Sequence, residues 1–442
     1  MGAFDLDELV PRDAAWTSPR IFSDRDVFDA ELERVFGRSW LFLGHESQAE
    51  APGDFFLSRM GTESVIVTRA NDGRLHAHLN VCRHRGMELC RADHGNAATF
   101  RCPYHRWVYG SDGRLLGVPG IATWYFDELD KSEWGLISVA QIDTYKGLVF
   151  ATFDPDAPSL AEDLGEMTWY LDCLLDRSPA GTEAVGGVQK WIVDCNWKFP
   201  VEQQIGDNYH VAPTHASITK ATIGFTPTQI DELMVDPHEF HPAPGTGLGA
   251  ELLSPDALDH ERMAGTLLHW GRPELARYLQ EVDPSVRERL GPHRSRLRII
   301  HAGVFPNLSL VPLFWTVRVT HPISPGRSEI WSWVIVERDA PEEAKQAIRQ
   351  TYVLSFGPAG IFEQDDGEMW EHITRGAEGP QARKHPLNLS MGLGHDGDVA
   401  GFPGTAGVGA TELNQRGYYR RWRETMAVGL DREVPVMVGA AP

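Results

Sequence analysis

The spacing of apolar and polar positions changes character twice along the chain, dividing it into zones at about 1–39, 40–155 and 156–442. In the first zone, Ser23 and Asp26 stand ahead of Phe28, Leu32, Val35 and Phe36, which recur every three or four positions. That pattern predicts one amphipathic helix, which must pack on a domain elsewhere in the chain. The second zone alternates or runs apolar in short stretches, FFLSRM (55–60), ESVIVTRA (63–70) and LHAHLNV (75–81), with turn signals at 71–73 and 111–113. Short strands joined by Asp-Gly turns predict a small antiparallel β-sandwich. The Pro/Asp-rich stretch 154–159 marks its end.

In the third zone, 188–197, 297–305, 309–323 and 329–339 are rich in β-branched and aromatic residues and read as strands. The last two are joined through a turn at 324–327, and residues 342–356 read as a helix with acids at its start. Strands and helices are segregated rather than strictly alternating, which predicts an α+β fold. The glycine-rich stretch 392–410 reads as irregular surface chain.

A length of 442 residues exceeds one ordinary core. A formal charge of −21 argues against nucleic acid as a partner. The acidic N-terminus carries no signal-peptide pattern, and no apolar run is long enough to span a bilayer. Five cysteines are too few for a disulfide scaffold, so a cytoplasmic protein with cysteines reserved for chemistry is expected.

Two of those cysteines sit in mixed pairs. Cys82-Arg83-His84 is followed, 17 residues on, by Cys102-Pro103-Tyr104-His105. Two short loops facing each other would offer two thiolates and two imidazoles. Thiolates on one iron and histidines on the other make a [2Fe–2S] centre of raised potential, roughly −150 to +300 mV. Zinc also takes two cysteines and two histidines, but its usual spacings pair like with like. Cys90, Cys173 and Cys195 read as small buried residues.

The second constellation is Asp207, His210 and His215. On a helix, Asp207 and His210 would share a face, and Pro213 would let His215 return from a turn. Two histidines and a carboxylate leave iron positions open for dioxygen and substrate. Taken alone, the histidine pair is equally readable as ordinary core or surface residues.

The run 82–90 together with 102–107 resembles the Rieske centre of aromatic ring-hydroxylating dioxygenase large (alpha) subunits, of the naphthalene and biphenyl dioxygenase type. The pattern from Asn196 to His215 resembles the same family at its mononuclear-iron segment. One departure is Arg106, where the family usually carries glycine after the second cluster histidine. The resemblance covers almost the whole chain. It implies an all-β Rieske domain at 40–155 and a helix-grip catalytic domain at 156–442, on which the N-terminal segment packs. It implies Asp366 of the Asp365–Asp366 pair as the third ligand of a mononuclear Fe(II), with Asp365 in a supporting role. It further implies Asp207 as an electron bridge from His105 of one subunit to His210 of the next. Gln203, Gln204, Asn307, Phe356 and Phe362 are implied to line the pocket, Gln204 being a departure from a common phenylalanine.

The implied reaction is cis-dihydroxylation of an aromatic hydrocarbon ring, expected to be bicyclic or polycyclic, using O₂ and electrons from NAD(P)H through a reductase and a ferredoxin. A small beta subunit in an α₃β₃ assembly is implied as well. The competing readings are a Rieske monooxygenase, a dioxygenase of substituted aromatic acids, and an electron carrier without a substrate.

Overall fold

The computed structural model describes residues 5–223, 238–256 and 272–428. The opening tetrapeptide of the first zone and the last fourteen residues of the third lie outside the described residues. The described chain divides into two compact units, one of Phe36–Leu160 and one in which the residues up to Val35 join Ala161–Val428.

The smaller unit is all antiparallel. Strand β1 (Leu41–His45) pairs with β10 (Leu148–Thr152), which pairs with β9 (Gln141–Tyr145). A four-stranded sheet runs in the order β4 (Leu75–Leu79), β3 (Glu63–Arg69), β2 (Asp54–Met60), β5 (His94–Asn96). A further sheet joins β6 (Thr99–Arg101), β7 (Val108–Gly110) and β8 (Leu115–Gly117). Both Asp-Gly turns are hairpin connections, β3–β4 and β7–β8. At the second, Gly113 has φ +81°, and a Cβ there would stand 2.6 Å from the His78 ring, so glycine is required twice over. One apolar cluster draws Phe55 and Ile66 from the four-stranded sheet and Phe100, Tyr109 and Leu115 from the other. It encloses Cys82 and Cys102, so the thiols sit in a packed wall while the loops carrying them reach the surface.

The larger unit is built on an eight-stranded antiparallel sheet. Its strands are β11 (Thr182–Val193), β12 (His238–His241), β13 (Thr246–Leu252), β14 (Leu297–Val304), β15 (Leu308–Val311), β16 (Thr316–Ser324), β17 (Arg327–Glu337) and β18 (Thr405–Val408). Their order is β11-β17-β16-β15-β14-β13-β12-β18. Two expectations need correction. The run 309–323 is a hairpin rather than one strand: Pro312 cannot donate to a ladder, Pro312–Phe314 forms a 3₁₀ turn, and Trp315 takes φ 52°. The stretch 392–410 is not all irregular surface, because Thr405–Val408 pairs with β12 and Ala406 is 3% exposed. Its partner lies far back in the sequence, where local pattern carries no signal.

The N-terminal helix α1 (Arg25–Arg34) is capped by Asp24, whose side chain accepts from the Asp26 amide. Val27 and Phe28 on its inner face are buried as the apolar spacing requires, but so is Glu31, at 0% exposure. Glu31 takes the Lys198 ammonium at 2.6 Å and the indole N–H groups of Trp197 (2.9 Å) and Trp422 (2.8 Å). A fully partnered buried carboxylate of this kind ties α1 to helix α2 (Lys198–Gln204) and to the C-terminal helix Leu413–Ala427. Among the described residues no helix is long and apolar enough to cross a membrane.

Candidate metal centres

In the smaller unit, two loops of matching construction carry the four predicted cluster residues. In the first, the Cys82 amide donates to Met87 O (2.9 Å) and the Gly86 amide to Cys82 O (2.9 Å). In the second, the Cys102 amide donates to Trp107 O (2.8 Å) and the Arg106 amide to Cys102 O (3.0 Å). Each loop turns through a residue of positive φ, Gly86 at 71° and Arg106 at 61°. The left-handed turn explains why glycine suits that place and what Arg106 gives up, about 1–2 kcal/mol of backbone strain.

The thiols of Cys82 and Cys102 are each 1% exposed, whereas His84 and His105 are only half-buried. The two imidazole rings stand 4.6 Å apart and steeply inclined, and His84 lies flat on Trp107 at 5.0 Å. Burial raises the Cys82 thiol. The Tyr109 hydroxyl lies 3.3 Å from Cys82 Sγ and accepts the Arg83 amide at 3.1 Å. Because that amide can only donate, the phenol proton is left for the sulfur.

In the larger unit the structure brings together His210, His215 and Asp366, with one ligand atom from each lying within 4.8 Å of the others. The expected single helix through Asp207 and His210 does not form. α2 stops at Gln204, and Asp207 makes a turn instead, its Oδ1 accepting from the amides of Tyr209 (2.9 Å) and His210 (3.1 Å). The short helix Val211–Thr214 follows, with Pro213 in its only turn and His215 closing it.

Asp366 lies on helix α4 (Ile361–Glu378) and is fully buried, and neither of its oxygens has a well-formed hydrogen bond. Its Oδ1 is 3.3 Å from His215 Nε2 and 3.7 Å from His210 Nε2. Each histidine is held from behind. His210 Nδ1 meets Asp207 O at 2.6 Å, and His215 Nδ1 meets Asp365 Oδ2 at 3.2 Å. Both rear partners are acceptors, so each Nδ1 carries a proton, and in the neutral imidazole each Nε2 presents a lone pair toward Asp366. A buried carboxylate beside the inner ring nitrogens of two histidines is a donor set for a cation.

Burial works to raise Asp366, but the two histidines and the Gln203 amide hold it below the usual carboxylate range. Burial likewise opposes His210, yet Asp207 and Asp366 raise it overall. His301, missed in the sequence, lies nearly parallel to His210 with ring centres 5.8 Å apart. Burial, then the neighbouring His210, lowers it to about 3, so it stays neutral. Strand parity would have found it: Leu297, Ile299 and His301 share the buried face of β14.

The predicted pocket residues divide. Phe356 and Phe362 stack at 5.4 Å, and Phe362 meets His215 edge-on at 5.1 Å. Phe314, brought in by the unforeseen 3₁₀ turn, packs 5.0 Å from Phe356 and 5.9 Å from Phe362. Gln203 accepts the Trp370 indole N–H at 2.8 Å. Gln204 is 3% exposed, and among the described residues its Oε1 has no hydrogen-bond partner. Asn307 donates to Thr320 O at 3.1 Å, bridging backbone.

Comparison with known proteins gives a consistent result. Residues 39–142 match the Rieske [2Fe-2S] domain, and residues 164–428 match the ring hydroxylating alpha subunit (catalytic domain). The biphenyl 2,3-dioxygenase subunit alpha of Rhodococcus jostii (strain RHA1) is 40% identical over 96% of this chain and 91% of its own length. The chlorobenzene dioxygenase subunit alpha of Cupriavidus sp. (strain PS12) is 41% identical over 96% and 94%. Among solved structures, a naphthalene 1,2-dioxygenase with indole in its active site superposes with a TM-score of 0.85 at 33% identity, covering 95% of this chain and 93% of that one.

Proposed function

The chain belongs to the ring-hydroxylating alpha-subunit family with an N-terminal Rieske domain, and we propose that it is the terminal oxygenase subunit for cis-dihydroxylation of an aromatic hydrocarbon. It is a Rieske non-haem iron dioxygenase carrying one [2Fe–2S] cluster and one mononuclear iron. Cys82, His84, Cys102 and His105 are the proposed cluster ligands, and His210, His215 and Asp366 the proposed ligands of the single iron. The observation that carries the reading is the convergence of His210, His215 and the buried Asp366 carboxylate, one ligand atom from each lying within 4.8 Å of the others.

When bound, the cluster supplies single electrons and the iron supplies a place for dioxygen to react. The chain's own residues do the rest. Asp365 and the Asp207 carbonyl hold the imidazole protons at Nδ1 and keep each Nε2 directed inward. Phe314, Phe356 and Phe362 offer an apolar wall beside His215, suited to an aromatic ring and hostile to water. His301 stays uncharged and adds no second cation beside His210. Asp207 is the proposed bridge that would link His105 of a neighbouring subunit to His210, along which the electron would pass.

As an alpha subunit, this chain works within a multi-component, hetero-oligomeric enzyme. We assign it a small beta subunit in an α₃β₃ assembly, with electrons passing from NAD(P)H through a reductase and a ferredoxin. Relatives named for biphenyl, benzene and naphthalene support a one- or two-ring hydrocarbon as substrate. A second reading, a substituted ring bearing an N–H or O–H group, is favoured by the unpartnered acceptor of Gln204.

The test is turnover under ¹⁸O₂ with naphthalene and biphenyl as probes and a donor system supplied. A diol with both oxygens labelled is expected. A product with one labelled oxygen would replace the dioxygenase with a monooxygenase.

A further inference from the structure

Two charges at the centre of the larger unit are unused by the chemistry above. Arg318, on β16, is 0% exposed, and Glu363, in the first turn of α4, is 2% exposed. Their side chains meet at 2.9 Å (Nη1 to Oε2). A buried ion pair is a poor source of stability, since an apolar pair of similar volume often does as well or better. What a guanidinium offers instead is a rigid planar fork with fixed directions.

The neighbours of that fork are informative. Arg318 Nη2 lies 3.5 Å from the carbonyl oxygen of Phe356, and its Cζ stands 5.4 Å from the Phe356 ring. Phe356 closes the helix Glu342–Ser355, and Glu363 opens α4. A single side chain from the sheet therefore holds both ends of the connection between two helices. That connection has little slack: a Cβ on Gly360 would stand 2.3 Å from Ser355 O. Asp366 follows Glu363 by three residues, one helical turn along the same face. Phe362, immediately before Glu363, stacks on Phe356 and abuts His215.

We infer that Arg318 and Glu363 are positioning residues for the mononuclear iron centre. The pair fixes the rotation and height of α4 against the sheet. It thereby sets where the Asp366 oxygens stand and how the Phe356–Phe362 wall faces the substrate. The inference rests on the reading of Asp366 as an iron ligand and of these phenylalanines as pocket wall.

The experiment compares Glu363→Gln, which keeps a hydrogen-bond partner for Arg318, with the double variant Arg318→Met/Glu363→Met, which leaves no buried charge unpaired. Each is purified as the full oxygenase and scored by the cluster EPR spectrum, Fe(II) affinity of the mononuclear site, and the EPR line shape of its nitric oxide adduct. Expected is an unchanged cluster spectrum with Fe(II) affinity down about 10–100-fold and an altered, broadened nitric oxide signal, as for loss of groups that orient metal ligands. Should the double variant not fold, Glu363→Gln decides, with a smaller change in the same direction. Either folded variant binding Fe(II) with parental affinity and an unchanged nitric oxide spectrum overturns the inference. Asp366→Asn is run in parallel. If it retains iron as the parent does, the ligand assignment itself is wrong, an outcome distinct from failure of the positioning role alone.

Discussion

The two metal centres are built on opposite plans. The cluster loops are local and mirrored: each closes on itself through two backbone hydrogen bonds, and both stand on one apolar cluster. The mononuclear centre is dispersed and buried, with His215 and its supporting Asp365 150 residues apart and the Asp366 carboxylate fully enclosed. A local site needs little beyond its own loops to be correct. A dispersed one is correct only if the sheet and α4 are both in place, so its geometry depends on residues outside the site itself.

Substitutions can press on that contrast. The largest effect expected is at Asp207, where Asp207→Ala should leave both metals bound yet lower coupled turnover by about a hundredfold or more. Metal analysis beside product formation checks this, and normal turnover would remove Asp207 from the electron route. Next, Asp365→Asn keeps an acceptor near His215 but removes its charge, so Fe(II) affinity should fall about tenfold, measured by competition with a chelator. In the cluster unit the effects should be smaller and confined. Tyr109→Phe deletes the hydrogen bond to Cys82, worth about 1 kcal/mol, and should lower the cluster's reduction potential by about 40 mV with the mononuclear iron unaffected. A potential at or above the parent's would mean the phenol proton points elsewhere. The smallest change is Arg106→Gly. Relief of the left-handed strain, partly offset by the entropy glycine loses on folding, should stabilise the unit by less than about 1 kcal/mol in denaturant unfolding.

The same contrast accounts for what could be read in the sequence. The proposed cluster ligands Cys82, His84, Cys102 and His105 were legible because each pair is local and written as a spaced motif, and the hairpin glycines marked the strands around them. His210 and His215 were visible as a pair, but nothing in their spacing pointed to Asp366. Only resemblance to a family selected it, because α4 approaches through tertiary packing. The helix expected through Asp207 failed because an aspartate that can bond the amides two and three residues ahead favours a turn over a helix. Phe314 was hidden by a proline turn inside an apolar run, and β18 by a partner distant in sequence. Glu31 looked like solvent-facing helix surface because its partners, Lys198, Trp197 and Trp422, come from helices far along the chain.

The central claim is that one polypeptide grips two independent iron centres. Iron quantitation with EPR on the anaerobically purified oxygenase, parent beside His210→Ala, tests it most directly. About three irons per chain are expected in the parent, falling to about two in the variant with the Rieske signal intact. Three irons retained after the substitution, or no Rieske signal in iron-replete parent protein, would contradict it.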